Sequence, residues 1–288
     1  MNDYVPIKLA YDVAEPMFGR DENLCPIIFI HGFNQSKELW HQIPYEIANE
    51  THRRAYAYDI RNHGDSQWSN TFNCDLMLKD LQHFMNSNKI QKAIIIAHSL
   101  SAYVALKFAI TSPERVEMVI AADPLIGIET KEERDASVPY GLLWAEAIRK
   151  VPPFTTKDMA IKLAVDYMYD QIPPEKQETL SDKEHLYQCN YILNHKDDGS
   201  YDVKLNVEVV IESFKTDVRL YPLEGVYEGP AYFINGSKSY FKVYEKKEEI
   251  LKHFPKAELF LINGASHHVH IDATEEFIQL LFKILVKN

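Results

Sequence analysis

The feature that most constrains this sequence is a recurring alternation of short apolar runs with helix-length segments. Each run is bounded by turn residues and is continuously apolar rather than alternating. Continuous hydrophobicity is typical of strands buried on both faces, as in a parallel sheet covered by helices. The runs occupy residues 26–30, 55–58, 93–97, 118–122, 231–234 and 259–262. We predict an α/β fold with a mostly parallel central sheet, and an antiparallel edge strand within Val5–Val13, where polar and apolar residues alternate.

Several segments between these runs carry apolar residues at helical spacing, which predicts helices that flank the sheet. The first is expected to begin at Ser36, as a side-chain cap, and to run through Trp40, Ile43 and Ile47. The others are predicted at Asp75–Phe84, Ala102–Ile110 and Thr274–Val286.

The alternation breaks between Leu125 and Glu228, a region rich in helix formers and aromatic residues. Helices are predicted there at residues 140–150, 156–171, 175–193 and 203–214. An insertion of this size between two core strands is interpreted as a helical lid. The predicted domains are therefore a core in two parts, residues 1–124 and 229–288, with the lid at residues 125–228 between them.

Composition limits the classes of binding partner that this protein is expected to have. The 288 residues carry a formal net charge of −11, which argues against nucleic acid because its phosphates would be repelled. No apolar stretch approaches the length of a membrane span, so none is predicted. The three cysteines are widely spaced without a Cys-x-x-Cys pair, which favours neither a zinc cluster nor a disulfide framework.

The amino terminus, Met-Asn-Asp-Tyr-Val, has no basic stretch followed by an apolar run and is acidic rather than Arg-rich. It therefore resembles neither a secretory signal nor a mitochondrial transit peptide. Together with the unpaired cysteines, this predicts a reducing compartment, the cytoplasm or the mitochondrial matrix, rather than secretion.

The strongest chemical signal is the segment Ile94–Ala102, in which an apolar run leads into a helical pattern through Ser99. In a nucleophile elbow, commonly Gly-x-Ser-x-Gly, a tight strand-to-helix turn lifts the serine hydroxyl clear of the sheet. The neighbours two positions away must be small, and here they are Ala97 and Ser101. We predict Ser99 as a catalytic nucleophile; a simple helix N-cap is the alternative interpretation.

The tripeptide His31-Gly-Phe33 follows the first apolar run. Gly32 permits close backbone approach, so the backbone N–H groups of Phe33 and Leu100 are predicted to form an oxyanion hole. A plain turn after a strand is the alternative. His31 is expected to order the loop rather than to act in catalysis.

A histidine-rich segment, Asn263–His270, follows the last apolar run and supplies the predicted general base. His267 lies a few residues beyond the strand, and imidazole suits proton transfer near neutral pH. His268 is expected to be solvated or packed. A metal site at His267 and His270 is conceivable, but no third ligand at suitable spacing supports it, so no metal or other cofactor is predicted.

A serine–histidine pair also needs a carboxylate that orients the imidazole and stabilises its cation. The loop after the fifth apolar run, a common place for it, reads Asn-Gly-Ser-Lys-Ser-Tyr-Phe from Asn235 and contains no acid. Asp123 follows the run at 118–122 on the same sheet edge and is the better choice, although an Asp before proline also forms turns. The order Ser99, Asp123, His267 agrees with that of this fold.

These residues carry a resemblance to a known family. Asp59–Ser66 reads Asp-Ile-Arg-Asn-His-Gly-Asp-Ser and closely resembles the Asp-x-Arg-Asn-His-Gly-x-Ser loop of one α/β-hydrolase branch. That branch includes abhydrolase-domain-containing protein eleven of animals, related bacterial esterases and yeast ethanol acetyltransferases. The resemblance continues through His31-Gly32-Phe33, the Ser99 elbow, Asp123-Pro124, Asn235–Ser239, and His267 with His270. Ala97, Ser101 and Ser266 depart from it, since glycine is usual at these positions.

The resemblance implies an α/β-hydrolase fold and esterase, lipase or thioesterase chemistry, with acyl transfer to alcohols in some members. It also implies that the acid follows the strand after the elbow, in agreement with Asp123. Many relatives reside in mitochondria, which keeps the matrix among the expected compartments. The Arg61–Ser66 run is interpreted as organising the strand ends rather than as direct catalysis.

We therefore predict a serine hydrolase that cleaves small-molecule acyl esters, thioesters or lipids through an acyl-enzyme on Ser99. An acyltransferase that passes the acyl group to an alcohol, and an inactive binding protein of the same fold, stay open as alternatives. Five lid residues are predicted to shape an apolar acyl pocket, or alternatively only to pack the lid onto the core: Tyr140, Trp144, Tyr167, Met168 and Tyr169.

Overall fold

The computed structural model describes residues 4–126 and 137–286 of the chain. Its strands are β1 (Tyr11–Ala14), β2 (Ile27–Ile30), β3 (Ala55–Tyr58), β4 (Ala93–His98), β5 (Val116–Ala122), β6 (Leu193–His195), β7 (Tyr201–Val203), β8 (Ala231–Gly236) and β9 (Ala257–Ile262). Seven of them form one sheet in the order β1-β3-β2-β4-β5-β8-β9. β1 is antiparallel to β3, and the other neighbours in this sheet are parallel. The predicted fold class is confirmed.

Burial follows position in the sheet. Every residue of the central strands β2 and β4 is buried, as expected for strands covered by helices on both faces. The prediction of two-sided burial is wrong for the last run, because β9 lies at the sheet edge and only Ile262 of its six residues is buried.

The helices are α1 (Ile43–Thr51), α2 (Cys74–Ser87), α3 (Ser99–Thr111), α4 (Ser137–Arg149), α5 (Lys157–Gln171), α6 (Pro174–Gln177), α7 (Lys183–Leu186), α8 (Val207–Thr216), α9 (Lys247–His253), α10 (Val269–Asp272) and α11 (Thr274–Val286). The predicted cap at Ser36 is wrong. A 3-10 turn at Lys37–Trp40 precedes α1, the Ser36 side chain makes no capping hydrogen bond, and His41, with φ 46°, separates the turn from the helix.

The inserted segment, residues 125–228, includes residues 127–136, which lie outside the described residues. The single helix predicted at 175–193 is wrong. The chain there forms α6, α7 and a 3-10 turn, because Thr179, Ser181 and Asp182 favour turns over helix interiors.

The helix predicted at 203–214 also starts later than expected, because Val203 belongs to a hairpin formed by β6 and β7. Asp198-Gly199 lies at the turn of this hairpin, and Gly199 has a φ of 81°. This dipeptide is a hairpin signal that the helical pattern obscured. Within the described residues, no helix is long and apolar enough to cross a membrane.

Two buried histidines lie beneath the carboxyl edge of the sheet. His31 and His63 are fully buried with rings 5.6 Å apart, and burial lowers the pKa of His31 to about 4 and of His63 to about 3. His31 accepts the Ile60 backbone N–H at Nε2, and Nδ1 of His63 lies 2.9 Å from the Arg61 carbonyl oxygen. Both rings therefore fold in the neutral form.

Because the unfolded imidazole takes up a proton near pH 6.5, the folded protein binds fewer protons below that pH. We expect the free energy of unfolding to be largest above pH 6.5 and to fall towards pH 5. Each neutral histidine should contribute a slope of up to about 1.4 kcal/mol per pH unit. Urea unfolding at several pH values measures this. His63→Asn, whose amide can replace the Nδ1–H donor, should reduce the slope; a stability that stays flat over this range would contradict the expectation.

Candidate active site

Parallel register brings the carboxyl ends of four strands to one edge. Ile30 of β2 lies opposite Ala97 of β4, which in turn lies opposite Ala121 of β5. Ala122 of β5 then lies opposite Ile234 of β8. The loops that leave these strands therefore start side by side, which is where ligands bind in open α/β sheets.

Ser99 lies in a sharp turn between β4 and α3. It is the first residue of the helix, and its φ of 57° is in the left-handed region that non-glycine residues rarely adopt. Such a conformation costs of order 1–3 kcal/mol and persists only where the surroundings hold it. The serine side chain is thereby directed away from the sheet, as in a nucleophile elbow.

Three side chains that are far apart in the sequence meet at this turn. Nε2 of His267 lies 2.9 Å from Oγ of Ser99, and Nδ1 of His267 lies 2.5 Å from Oδ2 of the buried Asp123. A carboxylate only accepts hydrogen bonds, so the imidazole proton is on Nδ1 and Nε2 can accept the Ser99 proton. The arrangement is capable of activating a serine nucleophile.

Asp123 has a second hydrogen-bond partner, Ser239, which was not predicted from the sequence. The Ser239 hydroxyl, in the loop after β8, donates to the same oxygen of Asp123 at 2.5 Å. Residues 235–241 of this loop contain no acid. The loop instead contributes a hydroxyl that holds the carboxylate, and only the quoted Asn235–Ser239 resemblance pointed to it.

The two residues predicted as oxyanion donors, Phe33 and Leu100, are each next in sequence to a residue at the elbow around Ser99. Leu100 is the second residue of α3, so its backbone N–H has no intrahelical acceptor. Gly32 packs directly against the elbow, since a Cβ added there would lie 2.8 Å from Cβ of Ser99. Phe33 follows this glycine directly in the chain.

His98 joins the loops around the elbow. Its Nδ1 lies 3.0 Å from Oε1 of Gln35, which also accepts the Gly32 backbone N–H at 2.8 Å. Its Nε2 lies 3.0 Å from the carbonyl oxygen of His267. His98 therefore contacts both the loop after β2 and the loop that carries His267, a role that the motif did not predict.

The residues that replace the usual glycines are accommodated. Ala97 is fully buried within β4, and the Ser101 hydroxyl donates to the carbonyl oxygen of His31 at 2.5 Å. The Ser266 hydroxyl lies 3.0 Å from that of Ser181. At two of the three positions, the non-glycine side chain therefore forms a hydrogen bond between loops.

His268 and His270 both pack against His98, with ring centroids 5.7 and 4.6 Å from it. Burial lowers the pKa of His268 to about 4 and that of His270 well below the usual value. Neither ring nitrogen of His270 has a hydrogen-bond partner among the described residues. Within residues 4–126 and 137–286, no three His, Cys, Asp or Glu side chains are grouped as a metal site would require.

Two of the predicted pocket residues, Tyr140 and Trp144, line a small cavity beside the loop that follows β2. The cavity measures about 30 Å³ and is lined by residues that include Phe33, Gln35, Tyr140, Trp144, Tyr191 and His268. Tyr167 and Met168 do not line it. The Tyr167 hydroxyl bonds to Glu146 and Lys150, and Met168 is fully buried in the core. Tyr169 is buried and donates to the Ser181 carbonyl.

The α/β-hydrolase fold family matches residues 26–274 of the chain. The sn-1-specific diacylglycerol lipase ABHD11 of Danio rerio is 27% identical over 281 residues, covering 97% of this chain and 83% of that protein. Ethanol acetyltransferase 1 of Cyberlindnera fabianii is 24% identical over 304 residues, covering 96% and 85%.

A solved structure of a marine microorganism esterase superposes with a TM-score of 0.75 at 23% identity, covering 96% of this chain and 99% of that one. At this identity the likeness concerns the fold. The predicted resemblance is confirmed, and the family match together with the lipase of Danio rerio supports the prediction of a hydrolase. Because the family match spans most of the sequence, the chain belongs to the α/β-hydrolase fold family.

Proposed function

We propose that this protein is a serine hydrolase that cleaves carboxylic esters or thioesters through an acyl-enzyme on Ser99. Its main support is the unbroken hydrogen-bonded path from Ser99 through His267 to the buried Asp123. The strained backbone at Ser99 adds support, because conformational strain of this kind concentrates at functional sites.

In the proposed reaction, Oγ of Ser99 attacks the acyl carbon while its proton passes to Nε2 of His267. The electron pair displaced from the carbonyl double bond collects on oxygen, where the N–H groups of Phe33 and Leu100 stabilise it. Collapse breaks the bond to the alcohol or thiol, which leaves with the proton from His267. Water then attacks the acyl-enzyme by the same route, releasing a carboxylic acid and restoring the Ser99 hydroxyl.

We propose that the inserted segment, residues 125–228, acts as a lid over a core made of residues 1–124 and 229–288. Tyr140 and Trp144 bring an apolar surface of this segment against Phe33. The expected substrate is a small acyl ester or a lipid ester, and the lipase relative of Danio rerio agrees with that class. The cytoplasm and the mitochondrial matrix stay the predicted compartments.

An acyltransferase is the second candidate, because one relative is an ethanol acetyltransferase. The two functions share the acyl-enzyme and differ only in whether water or an alcohol attacks it. Adding ethanol to a reaction with a nitrophenyl ester separates them. Ethyl ester formed in excess of free acid would establish transfer, whereas free acid as the main product would establish hydrolysis.

We expect Ser99→Ala to abolish labelling by a fluorophosphonate probe and to lower kcat for nitrophenyl esters by about 10⁶-fold. The substitution removes the only atom that the proposed mechanism acylates. Ser87→Ala, which removes an exposed hydroxyl far from the elbow in sequence, serves as the matched control and should label normally. Undiminished labelling of the Ser99 variant would exclude this nucleophile, and absence of labelling in the unaltered protein would favour the inactive alternative.

We expect Trp144→Ala to shift the preferred substrate from short towards longer acyl chains. A cavity of about 30 Å³ accommodates roughly two water-sized groups, and removal of the indole would enlarge it. The ratio of kcat/KM for nitrophenyl octanoate over acetate should rise by at least about 10-fold. Tyr167→Ala, from the outer side of the same segment, should leave the ratio unchanged; an equal shift in both variants would argue against this pocket.

A further inference from the structure

The inserted segment contacts the loop that carries His267 through a group of polar side chains. We call this loop, residues 263–268, the histidine loop. The Oγ of Ser181 lies 3.0 Å from Oγ of Ser266 and 3.2 Å from Nδ1 of His268. The residues on either side of His267 are therefore both bound by one hydroxyl of the inserted segment.

A carboxylate makes a second connection between the same two parts. Oδ1 of Asp272 lies 3.2 Å from Nδ1 of His185, in α7 of the inserted segment. Its Oδ2 accepts the backbone N–H of Ser266 at 2.7 Å. Asp272 thus ties the residue before His267 to a histidine of the inserted segment.

The histidine loop is also held from the opposite side. A Cβ added at Gly236, the last residue of β8, would lie 2.1 Å from the Ser266 carbonyl oxygen, so the two backbones are in direct contact. Ser181 and Ser266 are 2% and 1% exposed. At this burial, a hydroxyl that loses its partner has no water to replace it, which makes the pair costly to break.

This connection depends on a residue that departs from the family resemblance. Glycine is usual at the position of Ser266, and glycine has no side chain to bond with Ser181. The serine hydroxyl also accepts the backbone N–H of His268 at 3.3 Å. Ser266 therefore fixes the backbone on both sides of the imidazole as well as reaching the inserted segment.

We propose that Ser181 and Ser266 are positioning residues, which hold the His267 imidazole in line with Ser99 only while the inserted segment is seated on the histidine loop. This inference rests on the proposed function. The contact between two loops of different parts of the fold makes the alignment of the base depend on the position of the segment. Displacement of α7 and the preceding turn would release the histidine loop.

The test is a double-mutant cycle of Ser181→Ala, Ser266→Ala and the double variant. Each single variant should lower kcat for nitrophenyl acetate by about 10-fold with KM nearly unchanged, because a misplaced base slows chemistry rather than binding. The double variant should lower kcat by less than the product of the two single effects, since both substitutions remove the Ser181–Ser266 contact although each also removes its own contact with His268. Ser200→Ala, which removes a hydroxyl bound locally to Asp198 in the hairpin turn of the same segment, is the control and should retain full activity.

A second readout does not depend on activity. The Nδ1 proton of His267, held by Asp123, should give a downfield proton NMR resonance that His267→Gln removes. Ser181→Ala and Ser266→Ala should shift or broaden it, and Ser200→Ala should not. An unchanged resonance and an unchanged kcat in both the Ser181→Ala and the Ser266→Ala variant would overturn the inference. A perturbed resonance in a protein that no fluorophosphonate labels would uphold the positioning and refute only the proposed hydrolase function.

Discussion

The parallel pairing of β2, β4, β5, β8 and β9 is the constraint on which the site depends. Their register aligns the carboxyl ends, and each end leads directly into one part of the constellation. Residues more than 140 positions apart in the sequence, such as Asp123 and His267, can therefore lie within hydrogen-bond distance. A shift of one residue in any of these pairs would turn the strand-end side chains to the other face of the sheet.

The strained turns at Ser99 and Asp123 persist because the surrounding loops hold them. Both residues have positive φ, and both are nearly or fully buried. The Ser101 hydroxyl ties the start of α3 to the end of β2, and the Ser239 hydroxyl ties Asp123 to the loop after β8. Serine hydroxyls thus link the loops. Ser101 stands where the family resemblance expects glycine, and Ser239 lies in the loop after β8, whose residues 235–241 contain no acid.

The sequence predicted the core well because its information is local. Each of the six continuous apolar runs corresponds to a strand of the main sheet. Ser99 and His267 could be predicted as site residues because they follow the ends of two of these runs. The prediction of a single helix at 175–193 was wrong because turn-forming side chains interrupt a segment of helical composition. Apolar periodicity does not register the effect of these side chains. Ser239 and Ser181 were missed for another reason: their hydrogen bonds join loops that only the folded sheet brings together.

The imidazoles around His267 bear on its electrostatics. Burial lowers the pKa of His98 and His270 well below the ordinary value and that of His268 to about 4, and the neighbouring imidazoles act in the same direction. The lowered pKa values favour the neutral form of these three rings. Asp123 is the charged group in direct contact with that ring. His98 and His268 therefore pack against the His267 ring without adding positive charge beside it, and Asp123 is held to its other side by a hydrogen bond.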